Sequence, residues 1–353
     1  MRDAGVFQST TVPRGLEDRL KAMPKVEIHV HLEGATGPET VWDMAARNRV
    51  ALPADSLDAW RRIYDFRDFA HFIEVYELAT STMQTREDYE QMVVDFAARQ
   101  AAQGILYSEA YFSPQLHLGR GLSRRDILAS LGAGAEQGHR IHGTTVRFIA
   151  DLSRQTRERR TEVLRFALDG RERGGLFIGM GVGGIETGYP TELFTTLFDE
   201  ARRNGLHVVA HAGETEGPES VWGALRDLGA QRIGHGVRST EDRALVDHLR
   251  QKQIPLEVSP NSNYRLHVTP SDRPHPARAL VDAGVYVTLN SDDPPMFSTD
   301  LNNEYVTLAG QGFSWQELWR LNRNTLDATF LLDGEKASLR RRWDRFEAEL
   351  PEL

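Results

Sequence analysis

Val26-Glu27-Ile28-His29-Val30-His31-Leu32-Glu33-Gly34 is a short apolar run ending in a turn residue, the signature of a β-strand. Alternate side chains of a strand share a face, so His29 and His31 point one way and Ile28, Val30 and Leu32 the other. Seven further runs of the same kind follow, at Ile105–Phe112, Thr144–Asp151, Phe177–Val182, Leu206–His211, Arg232–Gly236, Ile254–Ser259 and Val285–Asn290. Between them lie segments with helical apolar spacing, among them Thr161–Leu168, Glu219–Leu228 and Asp242–Leu249. Strands alternating with helices build right-handed βαβ units and a parallel sheet. Eight of them predict a parallel, eight-stranded (βα)₈ TIM barrel with inserted helices after the first strand and a helical C-terminal tail. A doubly wound open sheet would place a glycine-rich phosphate loop after the first strand, and none is present. No linker, internal repeat or low-complexity tract divides the chain, so residues 1–353 read as a single domain.

Composition narrows the chemistry. There is no cysteine, which removes disulfides, thiolate nucleophiles, cysteine-held zinc and the nucleobase deaminases built on it. Lys+Arg total 42 against 51 Asp+Glu, a formal charge of −9. Nucleic-acid backbones and anionic membranes both call for a basic face, so neither is expected as a partner. Met1–Leu20 has no apolar core of the secretory kind, and no stretch approaches the ~18 apolar residues of a spanning helix. A cytoplasmic protein is the expectation.

The reactive side chains fall at predicted strand ends, the face that carries chemistry in a TIM barrel. Two imidazoles at i, i+2 can converge on one metal ion, although an isolated HxH also reads as two polar strand positions. Zinc needs further nitrogen or oxygen ligands at about 2.0–2.2 Å. His211, followed by Glu214 in HAGE, ends the fifth strand, and Asp292-Asp293 follow the eighth. SDDP alone reads equally as a turn or helix cap. Gly234-His235-Gly236 places a histidine where backbone can approach a ligand. Four such elements at strand ends point to a single metal centre.

HVHLEG (29–34), HAGE (211–214), IGHG (233–236), SPNSN (259–263) and NSDDPP (290–295) resemble, in order and spacing, the adenosine deaminase family of the amidohydrolase superfamily. The resemblance runs from about Pro24 to about Arg341 and includes Gly181-Val182-Gly183-Gly184-Ile185-Glu186. It implies one Zn²⁺ per chain on His29, His31, His211 and Asp292, with a water completing the shell. His235 and Asp292 would orient that water, and Glu214 would protonate purine N1 so that C6 accepts it. Asp293 would meet N7, and the Gly184 backbone N–H would meet N3. Since N7 is an acceptor, one partner in the Asp293 contact must carry a proton. His31 and Glu33 would contact substrate, as would Phe69 and Phe72 in a hydrophobic lid over Phe66–Ile73; that stripe could equally pack on the barrel.

The implied reaction is hydrolytic deamination of a 6-aminopurine nucleoside. Adenosine-using relatives carry Asp where Glu33 stands, whereas relatives acting on adenine or on aminodeoxyfutalosine often carry Glu. Gly183–Gly188 and Arg238 resemble the bacterial nucleoside branch. Glu109 and Ser113-Pro114 are read as pocket supports, and Asn261 and Asn263 as supports of the metal shell. Ser259 occupies a position where the family usually has Cys and is given no catalytic part. The remaining histidines, including His117 and His275, are read mostly as surface or helix residues. Arg340–Arg342 are read as a solvated face. The rivals are adenine deamination, a binuclear amidohydrolase, for which no lysine stands at a predicted strand end, and a purine-binding or structural-zinc protein.

Overall fold

The computed structural model describes residues 6–350; residues 1–5, and with them the opening of the Met1–Leu20 stretch, and residues 351–353 lie outside the described residues. Eight strands run in chain order around one sheet: β1 Lys25–His31, β2 Ile105–Phe112, β3 Thr145–Ser153, β4 Phe177–Gly183, β5 His207–Ala212, β6 Arg232–His235, β7 Leu256–Val258 and β8 Val287–Leu289. Every pairing is parallel. Helices 38–48, 57–63, 69–81 and 86–102 are inserted between β1 and β2. The (βα)₈ barrel is as expected.

Closure between β8 and β1 is made largely by side chains. Asn290 Oδ1 accepts from the amides of Ile28 and His29, both at 3.1 Å, and Glu27 Oε1 accepts from Ser291 N at 2.9 Å and Ser291 Oγ at 2.6 Å. A single backbone bridge, Val30 to Asp292, completes the ring. Strand β8 is shorter than the predicted 285–290; Asn290, just past it, keeps its backbone N–H on Val258 O at 2.9 Å while its side-chain carbonyl seals the seam. Strand β7 is likewise shorter than the predicted 254–259; Pro255, just before it, has no N–H to donate and joins the sheet only through its carbonyl, which accepts from Ile233 N at 3.0 Å. Between Glu27 and Val30 the register of β1 slips against β2. Such a bulge re-aims side chains beside an active site, and His29 sits within it.

Of the expected trio, Val30 and Leu32 join the main apolar core together with Val26, while Ile28 is buried outside that cluster. A second apolar cluster forms over the barrel mouth from Trp60, Tyr64, Phe66, Phe72, Tyr76 and Phe297. Its main element, helix 69–81, starts at Asp68, whose carboxylate accepts from His71 N at 2.8 Å. The predicted helix 219–228 is an α-helix, Pro218–Gly223, that widens into a π turn, Ala224–Leu228. The C-terminal tail is helical at Trp315–Ala328 and Asp333–Ala348, with Arg340, Arg341 and Arg342 exposed. Among the described residues no helix is long and apolar enough to cross a membrane.

Candidate active site

Five side chains from four strand ends converge at the mouth. His29 and His31 come from β1, His211 from β5, His235 from the last residue of β6, and Asp292 from just beyond β8. His235 and Asp292 both hold left-handed backbone, with φ of 61° and 64°. Non-glycine residues rarely adopt that region, and such strain gathers at functional sites. His31 Nε2 lies 3.1 Å from His211 Nε2 and 3.3 Å from Asp292 Oδ1, and His29 Nε2 lies 3.5 Å from the same oxygen. Ligating atoms of His29, His211, His235 and Asp292 all lie within 4.8 Å of one another. Tetrahedral coordination at about 2.0–2.2 Å requires donor separations of about 3.3–3.6 Å, close to these values.

Hydrogen bonds then show which ring nitrogens are left free. Glu257 Oε2 lies 2.8 Å from His29 Nδ1; burial would raise the Glu257 carboxyl, but Arg232 and His29 hold it below the usual range. The carboxylate therefore accepts, His29 Nδ1 donates, and Nε2, buried without a hydrogen-bond partner, turns its lone pair to the centre. His211 Nδ1 meets the Val182 carbonyl at 3.2 Å, which can only accept, so its Nε2 is likewise free to ligate. His235 is different. Ala277 N donates to His275 Nδ1 at 3.1 Å, so His275 Nε2 carries a proton and donates to Asn263 Oδ1 at 3.0 Å. The Asn263 amide then donates to His235 Nδ1 at 3.3 Å. His235 consequently presents Nε2–H, a donor, 3.6 Å from Glu214 and 3.9 Å from Asp292. Replacing Asn263 by Asp should reverse the last bond and put the proton on Nδ1. The expected result is a loss of about tenfold or more in kcat, with a shifted ¹⁵N signature of the His235 ring; an unchanged signature would count against this relay.

Electrostatics agree. Burial would lower His29, but Asp292 and Glu257 more than offset it and raise it to about 10. The position is thus built to hold positive charge. Burial pushes His31 down to about 4 and His235 to about 3, so both are neutral. Burial, then the charges of Asp292 and Glu186, push the Glu214 carboxyl well above its ordinary value. Burial beside Asp292 does the same to Asp293. The residues fit a divalent cation flanked by two protonated acids.

The protein-family comparison matches the adenosine deaminase family over residues 24–346. The chain belongs to the adenosine deaminase family. It is 37% identical to an aminodeoxyfutalosine deaminase of Streptomyces avermitilis, over 98% of this chain and 97% of that one. It is 36% identical to an adenine deaminase of Cupriavidus metallidurans, over 97% and 96%. Among solved structures, the adenine deaminase of Arthrobacter aurescens superposes with a TM-score of 0.87 at 29% identity, covering 93% of this chain and 100% of that one.

A cleft opens onto this cluster. His31, Gly184, Glu214, His235, Asp292, Asp293, Phe69, Phe72 and Ile73 line it. The Phe66–Ile73 stripe divides between cleft and apolar cluster. Phe69 and Phe72 face the cleft, while Phe66 and Phe72 pack on Phe297. A Cβ at Gly34 would fall 1.6 Å from Asp293 Oδ1, so only glycine leaves that carboxyl room.

Glu33 is a correction. It stands behind the wall, 1% exposed, with Oε1 accepting from Ser113 N at 2.7 Å and facing His117 Nε2 at 3.0 Å, and Oε2 accepting from Tyr76 at 3.2 Å. It pins the lid helix to the barrel rather than facing the cleft. His117 is a helix residue as expected, the last of Pro114–His117, and is buried against Glu33; His275 is the correction, buried in a loop against Asn263. Glu109 is no pocket support; it lies inside the barrel, where it accepts from Arg232 Nη1 at 2.6 Å. Arg232 in turn pairs with Glu257 at 2.5 Å. Asn263 supports the centre as expected, whereas Asn261 bonds Thr307 and Glu304. Sequence reasoning passed over Glu257, Arg232 and Asp151, since a charged residue within a strand gives no local signal of an interior partner. Asp151 lines the cleft with Oδ1 buried and unpartnered.

Proposed function

We propose that the chain, acting over residues 1–353 as one domain, is a cytoplasmic zinc-dependent aminohydrolase that converts a 6-aminopurine nucleoside to its 6-oxo product and ammonia. His29, His31, His211 and Asp292 would hold one Zn²⁺, which when bound supplies Lewis-acid activation of water at neutral pH. His235 donates its Nε2–H to orient that water, and Asp292 accepts its proton. Glu214 gives a proton to N1, making C6 electrophilic; the water oxygen bonds to C6, the 6-amino group takes the proton held by Asp292 and leaves as ammonia, and the remaining hydroxyl proton returns to Glu214 as the 6-oxo group forms. Asp293, carrying its own proton, donates to N7, and the Gly184 amide donates to N3. Phe69 and Phe72 exclude solvent from the purine face. The observation that carries this reading is Glu214, a buried carboxyl lining the cleft 3.6 Å from His235 beside the cluster of His29, His31, His211 and Asp292, where burial pushes its pKa up.

Ser113, Ser153, Gln155 and Glu77 line the same cleft and supply polar contacts that a bare purine does not require, which favours a nucleoside such as adenosine or aminodeoxyfutalosine. A second reading, free adenine, is favoured by Glu33, whose carboxylate is taken up by protein partners and so is withheld from a sugar hydroxyl. A panel of adenine, adenosine, deoxyadenosine, methylthioadenosine and aminodeoxyfutalosine tests both through kcat/KM, followed by loss of aminopurine absorbance. At least one nucleoside should exceed adenine by about tenfold or more. Preference for adenine would overturn the nucleoside assignment, and no turnover of any member would overturn deamination itself.

A further inference from the structure

Gly213–Glu216, the loop that carries Glu214, belongs to no helix or strand, and no backbone carbonyl among the described residues accepts from its four amides. One side chain satisfies all of them. Glu186 Oε1 accepts from Glu214 N at 3.0 Å, Thr215 N at 2.8 Å, Glu216 N at 3.2 Å and Thr215 Oγ1 at 3.3 Å. Its Oε2 accepts from Gly213 N at 2.9 Å and from the Ser220 hydroxyl. Buried amides must be paired, and consecutive N–H groups closing on an anion form a rigid nest. The reverse side of the loop is held as well: Arg238 Nη1 donates to Thr215 O at 2.7 Å. Arg154 Nη2 donates to His211 O at 2.7 Å and its Nη1 to Tyr189 O at 2.8 Å, tying the stretch that bears Glu186 to the end of β5.

We propose that Glu186 is a positioning residue for deamination, setting the backbone of Gly213–Glu216 so that the Glu214 carboxyl meets the ring nitrogen it protonates. This rests on the reading of Glu214 given above. Glu186 touches neither the ligand set nor the purine, so its influence passes through Glu214. The variant Glu186→Gln preserves volume but turns an amide NH₂ toward N–H groups that need an acceptor.

A double-mutant cycle tests it on the zinc-loaded enzyme. Glu186→Gln should lower kcat by about 10- to 10²-fold, the cost of a roughly 1 Å misplacement, with KM changed by no more than about threefold and zinc content retained. In a Glu214→Gln background the same change should cost nothing further. An unchanged kcat, or an equal loss in both backgrounds, overturns the proposal. Should Glu186→Gln fail to fold, Ser220→Ala removes a single donor and should lower kcat by about two- to fivefold; no effect overturns it. Hydrogen exchange gives a readout independent of turnover. Amides 213–216 should lose protection in Glu186→Gln, and unchanged protection would refute the proposal even if no aminopurine proved to be a substrate.

Discussion

Glu214→Gln should retain its metal and lose on the order of 10²–10⁴ in kcat. Glutamine matches the volume and keeps a carbonyl oxygen, so the cleft and the ligand set are undisturbed. What disappears is a transferable proton. In the wild-type protein that proton stays because the carboxyl is buried beside the charges of Asp292 and Glu186, which disfavour ionisation. The sign of the pH dependence follows. A group whose pKa is raised acts while protonated, so wild-type kcat should be sustained on the acid side and fall as pH rises through the elevated value. The glutamine variant should lack that alkaline limb. Parallel measurement of metal content and a kcat–pH profile checks both, and a variant with wild-type kcat would remove Glu214 from the chemistry.

Replacing His29 by Ala should lose metal and activity together. Its Nε2 is a buried nitrogen without a hydrogen-bond partner at the centre, and the carboxylates of Asp292 and Glu257 on either side of the ring favour positive charge there. Alanine leaves Glu257 paired with Arg232 at 2.5 Å but leaves Asp292 facing the centre with one fewer ligand beside it. Metal content should drop well below one per chain, and turnover to background. Chelation of the wild-type protein should act in the same direction on stability, because an ion at about 1,000 times its dissociation constant contributes about 4 kcal/mol. A lower Tm in chelator, restored by Zn²⁺, is the expected result. A His29→Ala protein that binds zinc fully would contradict ligation.

The barrel was legible because its signals are local. Apolar runs near Val26, Ile105 and Phe177 are continuous, and β2 begins and ends where its run does. The predicted runs 254–259 and 285–290 outrun β7 and β8, because where a ladder ends depends on neighbouring strands that neither run reveals. The ligand types were legible for the same reason: His29, His31, His211 and Asp292 stand at strand ends. His275 departs from its reading, since a histidine in a loop gives no sign of where its ring is buried. Arg238 took its meaning only from Thr215, 23 positions away in the chain.

Periodicity alone therefore decided the architecture and put the reactive residue types on one face of it, because strand alternation is a property of neighbours in the chain. Protonation and reach belong to the folded molecule. Which imidazole nitrogen bears hydrogen, which carboxyl is neutral and what Glu33 meets depend on partners brought from far along the chain, as Glu257 is to His29, 228 positions away. Hydrogen-bond partners and local dielectric come into existence only when the ring of strands closes.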